Sequence, residues 1–243
     1  MVFKKERRVI LIRFFKWAAG VLFASSLPLQ RIFAGQTAGK KEADMKLPQV
    51  TTRGRVSVEE AIGQRRTVRG YASKALALDH LSQLLWACQG ITGQSGFKRA
   101  APSAGALYPM DVYAVTGTDV LRPIEGGVYH YNPLGHTLSL VVKGDLRRTV
   151  ARAALSQMWI AAAPVSVVIS AEYDRVSVKY GERGVRYAMI EAGHIGQNLF
   201  LQAEALGLKA GIVGAFSDRE IIRAMGIPSS HQPLLIMPIG YPA

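Results

Sequence analysis

Lys179 and Tyr180 open the stretch KYGERGVRYAMIEAGHIGQNLF, beside four further charges, Glu182, Arg183, Arg186 and Glu191. An amine next to a phenol forms a proton-transfer pair. The neutral amine can take a proton from carbon, and the phenol can donate one or orient a substrate. A solvated loop would explain the charges but not the pair. The stretch leads into a helical run, Ile190 to Leu206, in which Ala192, Gly193 and Gly196 are small enough for another backbone to come close, and Gly207 ends it.

Three other stretches carry residues suited to a ligand. QRRTVRGY, Gln64 to Tyr71, places Arg65, Arg66, Thr67 and Arg69 at a helix exit. In an extended segment Arg65, Thr67 and Arg69 point the same way. Two guanidiniums and a hydroxyl converging there would clamp a phosphate through charge-assisted bonds; a solvated basic loop is the alternative. Pro102, Ser103, Ala104 and Gly105 precede a strand, and small residues there let backbone N–H groups approach a flat ligand, although an ordinary turn fits as well. GLKAGIVGAFSDRE carries Gly207, Gly211 and Gly214, where an N–H at Gly214 or Ala215 could face a ligand heteroatom, although an ordinary helix-to-strand turn fits as well. It has neither the Gly-Lys-Ser/Thr ending of a P-loop nor a G-x-G-x-x-G fingerprint.

Other chemistries find little support. The five histidines, His80, His130, His136, His194 and His231, include no i,i+4 pair, so no metal site is expected. His194, beside Gly193, is expected in the core. No G-x-S-x-G elbow occurs. The single cysteine excludes an intramolecular disulfide and a cysteine cluster. Cys88 shares a helical face with Leu81, Leu84 and Leu85 and reads as a small core residue.

The elements that must position these groups follow from pattern. Ser57 and Glu60 stand in capping-box spacing and start a helix running to Gln64. DHLSQLLWACQG is a second helix stopped by Gly90. DVYAVTG alternates as a strand, and GGVYHYNPLGHTLSLVVKG reads as two strands around an Asn-Pro-Leu-Gly turn. APVSVVISAEY is apolar enough for a central strand. SDRE, Ser217 to Glu220, is a second capping box, starting a helix that ends near Met225, and PLLIMPIG is a closing buried strand. Helices and strands mix without strict βαβ alternation, which favours an α+β fold, helices around a mostly antiparallel sheet.

The chain has 243 residues, 49% hydrophobic, with a net charge of +13. That is enough for one domain with a real core. Lys4, Lys5, Arg7, Arg8, Arg13 and Lys16, against Glu6 alone, place much of the excess at the N-terminus. With no basic stretch interleaved with aromatics, nucleic-acid binding is not expected. Residues 1–35 run from a basic start through an apolar run, Trp17 to Leu29, to small residues at Ala34 and Gly35, the order of an export signal. Arg7-Arg8 suits the twin-arginine route to the periplasm. The run is shorter than the ~20 residues of a comfortable span, and Pro28 interrupts it. A membrane anchor, or a cytoplasmic protein with a mis-assigned start, are the alternatives. Residues 36–54 read as a flexible linker and residues 55–243 as the folded domain.

Taken in order, RRTVRGY, LSQLLWACQGITG, APSAGALYP, APVSVVISAEYDR, KYGERGVRYAMIEAGHIGQNLFLQAEALGL and GAFSD resemble the flavin-dependent nitroreductase superfamily. They look most like its SagB-type dehydrogenase branch, which contains azoline oxidases of thiazole/oxazole peptide pathways. The resemblance covers Ser57 to Gly240. It implies an intertwined homodimer with FMN at the interface. Arg65, Thr67 and Arg69 match the motif holding the flavin phosphate, ribityl chain and ring edge, and Arg66 adds charge beside it. Pro102, Ser103 and Ala104 match a segment lying against the flavin, in many members from the other subunit. Gly214 and Ala215 match the loop facing the ring nitrogen that takes the hydride. Lys179 and Tyr180 match the pair implicated in proton removal. The implied activity is FMN-dependent oxidation of a small-molecule or peptide substrate. An NAD(P)H-dependent nitro or quinone reductase and a non-catalytic flavin-binding redox protein are the alternatives.

Overall fold

Alternate residues of the two central strands feed two separate cores, and this arrangement organises the chain. The computed structural model describes residues 44–243 except Ser95 and Arg122. The expected export or anchor segment, residues 1–35, lies outside the described residues. The strands are β1 (Met45–Lys46), β2 (Met110–Thr116), β3 (Gly127–Asn132), β4 (Thr137–Lys143), β5 (Val165–Ala171), β6 (Lys209–Ala210) and β7 (Gln232–Gly240). They form one sheet in the order β1-β4-β3-β2-β5-β7-β6, each pairing antiparallel. The helices are α1 (Val58–Gln64), α2 (Leu78–Gln89), α3 (Arg147–Ala153), α4 (Asp174–Tyr180), α5 (Arg183–Ala205) and α6 (Asp218–Met225), with short 3₁₀ turns at Ala104–Ala106 and Met158–Ala162.

Every residue of β2 and β5 is buried. Successive strand side chains point to opposite faces, so Val112, Ala114, Val167 and Ile169 pack with Leu81, Leu84 and Leu85 of α2 and Ile195 and Leu199 of α5. Tyr113, Val115 and Val168 pack on the other face with Val150 of α3 and with Ile221 and Met225 of α6. The α+β architecture thus has helices on both faces of an antiparallel sheet, and the central strands lose the half-polar alternation of a one-sided sheet. Among the described residues no helix is long and apolar enough to cross a membrane.

Of the two capping boxes expected from sequence, one makes its serine cap and the other does not. Ser57 Oγ accepts from the Glu60 N–H at 3.1 Å and caps α1. Ser217 caps α6 by position only, since its side chain makes no capping bond. Cys88 is fully buried, and burial pushes its thiol pKa up.

Several expectations need correction. Residues 45–51 are packed on the fold rather than forming a free tether. Met45 pairs with Leu138, and Leu47 is buried. The Ser82 hydroxyl donates to the Pro48 carbonyl at 2.6 Å, and the Gln83 amide both receives from and donates to the Thr51 backbone at 3.0 Å. Their polar composition suggested a solvated linker, but side chains of α2 bind the backbone at Pro48 and Thr51. Lys179 and Tyr180 end helix α4 rather than lying in a loop, and α5 begins at Arg183, seven residues before the apolar periodicity shows it. The small residues of α5 divide: Ala192 and Gly196 are buried, whereas Gly193 and His194 are exposed, so His194 is not a core histidine.

Candidate functional site

The residues picked out in the sequence gather in two clusters along α5. The first lies beside β6. After α1 the chain turns out at Arg65, Thr67 bridges Ala210 in parallel, and the Val68 N–H donates to the Ala210 carbonyl at 3.0 Å. This approach needs a glycine at 211, where a Cβ would stand 2.8 Å from the Val68 carbonyl oxygen and 2.7 Å from the Trp159 ring. Arg65 lies over Phe200 of α5 at 5.1 Å, and Arg69 lies over Trp159 at 5.6 Å. These are cation–π contacts that orient a guanidinium without neutralising it. Arg66 turns back instead, donating to the carbonyls of Gly63 and Arg65 at 2.9 and 2.8 Å and closing the C-terminal end of α1. Among the described residues, none of these three guanidiniums forms an ion pair with a carboxylate.

The Gly214–Ala215 loop belongs to the same cluster. Gln157, which precedes the Trp159 turn, donates to the Ala215 carbonyl at 3.0 Å. The N–H groups of Gly214 and Ala215 donate to no acceptor among the described residues, and both residues are exposed. Arg65, Thr67, Arg69, Gly214 and Ala215 therefore share one edge of the sheet. Their free donors are two oriented cations, an exposed threonine and two backbone N–H groups. That donor set suits an anionic group joined to a flat heteroatom-bearing ring.

The second cluster is the Lys179–Tyr180 pair and the turn beneath it. Pro102, Ser103 and Ala104 lead into a strap that runs to Tyr108. At Gly105 φ is +62°, a left-handed conformation that glycine adopts without penalty. A Cβ there would stand 2.8 Å from the Tyr180 hydroxyl and 3.1 Å from Lys179 Nζ. Lys179 and Tyr180 thus converge on the bare backbone of Gly105, joining two motifs 74 residues apart in the chain. Tyr180 is half-buried and packs edge-on against Tyr187 of α5, with ring centroids 5.1 Å apart, while Lys179 is exposed.

Behind the strap lies a network that the sequence reading did not assign to the site. Glu191 of α5 is 2% exposed. Its carboxylate accepts from the Gln89 amide at 3.1 Å and from the Ser103 hydroxyl. Ser103 Oγ in turn accepts from the Tyr108 N–H at 2.9 Å, and Arg99 donates to Gln89 Oε1 at 3.1 Å. Burial raises the Glu191 pKa, opposed by the bonds from Ser103 and Gln89 and by Arg99. One signal could have found it: Glu191 adjoins the apolar stripe Ala188, Ala192, Ile195 and Leu199, so it sits on the buried face of α5.

An antiparallel α+β sheet with helices on both faces thus carries a paired basic segment and exposed-amide loop on one edge, and a Lys-Tyr pair over a glycine strap. The Nitroreductase family profile matches residues 62–241, and the chain belongs to that family. It is 42% identical over 197 residues to MJ1384 of Methanocaldococcus jannaschii, a protein named for this family, covering 81% of this chain and 96% of that one. It is 27% identical over 147 residues to the microcin B17-processing protein McbC of Escherichia coli, covering 59% of this chain and 54% of that one. Among solved structures it resembles a Ralstonia eutropha protein also named for the family, with a TM-score of 0.72 and 27% identity, over 84% of this chain and 92% of the other. The E. coli microcin synthetase McbBCD complex, at 23% identity and a TM-score of 0.64 over 90% of this chain and 84% of the other, shares the fold.

Proposed function

We propose that this chain is an FMN-dependent oxidoreductase of the SagB-type branch that dehydrogenates a small-molecule or peptide substrate. The observation that carries the reading is the convergence of Lys179 Nζ and the Tyr180 hydroxyl over Gly105. The fit to FMN rests on the unneutralised guanidiniums of Arg65 and Arg69 beside two free backbone N–H groups. Bound FMN would supply two-electron chemistry as hydride acceptor or donor. Arg65, Thr67 and Arg69 would hold the phosphate and sugar side, with Arg66 adding charge. Gly214 and Ala215 would present N–H groups to the ring edge. Lys179 Nζ would accept the proton released from the substrate carbon, with the Tyr180 hydroxyl orienting the substrate or returning a proton. Pro102, Ser103 and Ala104 would form the wall opposite the ring. A peptide substrate draws support from the relatives named for processing microcin B17 and trifolitoxin. An NAD(P)H-driven nitro or quinone reductase draws support from the 42% identity to MJ1384.

The two clusters are anchored on α5 at Glu191 and Phe200, about 13.5 Å apart along the helix at 1.5 Å per residue. A homodimer would place the Gly105 strap of one protomer over the basic edge of its partner. Exposed apolar side chains on α1 (Val58, Ile62) and α5 (Met189, Ile190) supply a face for it. The export reading of residues 1–35 rests on their sequence alone.

The test is purification and spectroscopy. The protein should carry FMN absorbance, and replacing Arg65 and Arg69 together by alanine should remove at least nine-tenths of it. Lys179→Ala should keep the flavin and slow substrate dehydrogenation about 100-fold, within the usual range for a general base. A colourless protein that cannot be reconstituted would refute the cofactor, and unchanged turnover in Lys179→Ala would remove that residue from the mechanism.

A further inference from the structure

We propose that Arg175 is a positioning residue: it ties helix α4 and the Pro102–Tyr108 strap to one buried carboxylate of the sheet, and so sets the gap between Lys179/Tyr180 and Gly105. The inference rests on reading Lys179 and Tyr180 as the proton-handling pair. Its geometry begins at Asp111, the second residue of β2, which is 7% exposed. Asp111 Oδ1 accepts from His130 Nε2 at 2.9 Å, and Oδ2 lies 2.9 Å from Arg175 Nη1. Arg175 Nε also pairs closely with Glu172, the residue after β5. Its Nη1 stands 3.5 Å from the Tyr108 carbonyl oxygen, the last residue of the strap. One planar fork therefore touches the sheet, the corner leading into α4 and the strap together. Lysine could not reproduce this arrangement, because its single ammonium lacks the fork.

The strap needs such a tie. Gly105, Ala106 and Tyr108 all adopt positive φ, at 62°, 54° and 48°. The last two carry side chains, which disfavour that region. From the other side, Arg99 lies over the Tyr108 ring at 4.1 Å, and the Tyr108 hydroxyl donates to the Phe97 carbonyl. Arg99, Asp111, His130 and Arg175 line one cavity of about 370 Å³ behind the strap. Arg175 and Lys179 are four residues apart on α4 and share a helix face. Any shift of the Arg175 anchor thus moves Lys179 relative to the strap held by the same guanidinium. His231 completes the surroundings: its Nδ1 is 2.6 Å from the Tyr113 hydroxyl and 3.7 Å from Asp111 Oδ2, and its Nε2 is 3.9 Å from Glu172. Asp111, Glu172 and His231 offer ligand atoms within 4.8 Å of one another, but the cation the two carboxylates hold is the Arg175 guanidinium.

The experiment compares the flavin-loaded wild type with Arg175→Met, Arg175→Lys and Asp111→Asn by hydrogen–deuterium exchange and steady-state kinetics. Arg175→Met should speed amide exchange at least tenfold in both 102–108 and 174–180, leaving 78–89 unchanged. It should lower kcat at least tenfold with KM within threefold and the flavin spectrum retained. Asp111→Asn, which keeps the side-chain size, should speed exchange in the same two segments, and Arg175→Lys should recover only part of either effect. Exchange unaltered in 102–108, or recovered fully by lysine, would overturn the proposal whatever the activity. If Arg175→Met does not fold, the Asp111→Asn and Arg175→Lys exchange data decide alone. Coupled exchange alongside a Lys179→Ala enzyme of normal turnover would leave the tie standing and refute the proton-transfer reading instead.

Discussion

Replacing Gly105 by alanine separates two costs that the structure assigns to one position. The first is conformational: at φ +62° an L-residue with a Cβ is disfavoured by about 1–2 kcal/mol. For a folded region of this size that lowers Tm by about 2–8 °C. The second is steric and local. The new Cβ would stand 2.8 Å from the Tyr180 hydroxyl, whereas ordinary contact begins at 3.4 Å, so the phenol tip must retreat about 0.6 Å. Lys179 Nζ, at 3.1 Å, is crowded as well. Displacement approaching 1 Å in a reacting group lowers turnover by up to about 100-fold. The control is Gly207→Ala, where φ is +69° and the added Cβ meets nothing within 4 Å. Both variants should lose similar stability by thermal unfolding, and only Gly105→Ala should lose turnover, by about 10- to 100-fold, with flavin absorbance retained. Equal turnover in the two variants would refute the reasoning, because the cost at Gly105 would then be backbone strain alone.

Two further outcomes follow. Burial, aided by Lys46, holds the His136 imidazole below its usual 6.5 against the Pro48 carbonyl bond that favours the charged form. The unfolded chain therefore takes up this proton first, and wild-type stability should fall as pH drops through 6.5, levelling once the folded imidazole is charged. His231 is depressed in the same direction. Chemical denaturation between pH 7.5 and 5 should show a shallower fall in His136→Gln than in the wild type, and parallel curves would count against the assignment. Ile62, 55% exposed on α1, tests the proposed dimer: Ile62→Glu should weaken self-association at least tenfold by light scattering and lower flavin content with it. A wild-type monomer that holds FMN would end the dimer argument.

The strands and longer helices were legible because their signals are local. The serine cap of α1, the apolar stripe of α2, the Asn-Pro-Leu-Gly turn between β3 and β4 and the continuous apolar run of β5 each carry their own evidence. What escaped lacks such a signal. Strands β1 and β6 are two residues each, too short for a period, and exist because β4 and β7 offer an edge to pair with. Helix α4 exposes Asp174, Arg175, Val178 and Lys179 and fully buries only Val176, so nothing in its pattern opposes a loop. The first turns of α5 contain Gly184 and Arg186, which read as loop until α4 packs against them.

The same distinction divides the site. Arg65, Thr67, Arg69, Gly214 and Ala215 were visible as types at a spacing, and the fold brings them to one edge through β6 and the Trp159 turn. The Lys179–Tyr180 pair was visible too, but its meeting with Gly105 depends on a turn conformation that no spacing encodes. The groups that hold that meeting in place were invisible for a stronger reason. Gln89 reaches Glu191 across 102 residues, and Asp111 of β2 reaches Arg175 of α4. Gln89, Glu191 and Asp111 are each a buried polar residue in a largely apolar stretch, which a sequence marks only as an exception. Burial then makes each exception costly unless its partner is present. A buried Glu or Asp beside a ligand-type motif is therefore the cue to search for the second half of a charge network. Here that search leads from the strap to Ser103, Glu191 and Gln89 on one side and to Arg175 and Asp111 on the other, contacts that flank the segment on which Lys179 and Tyr180 converge.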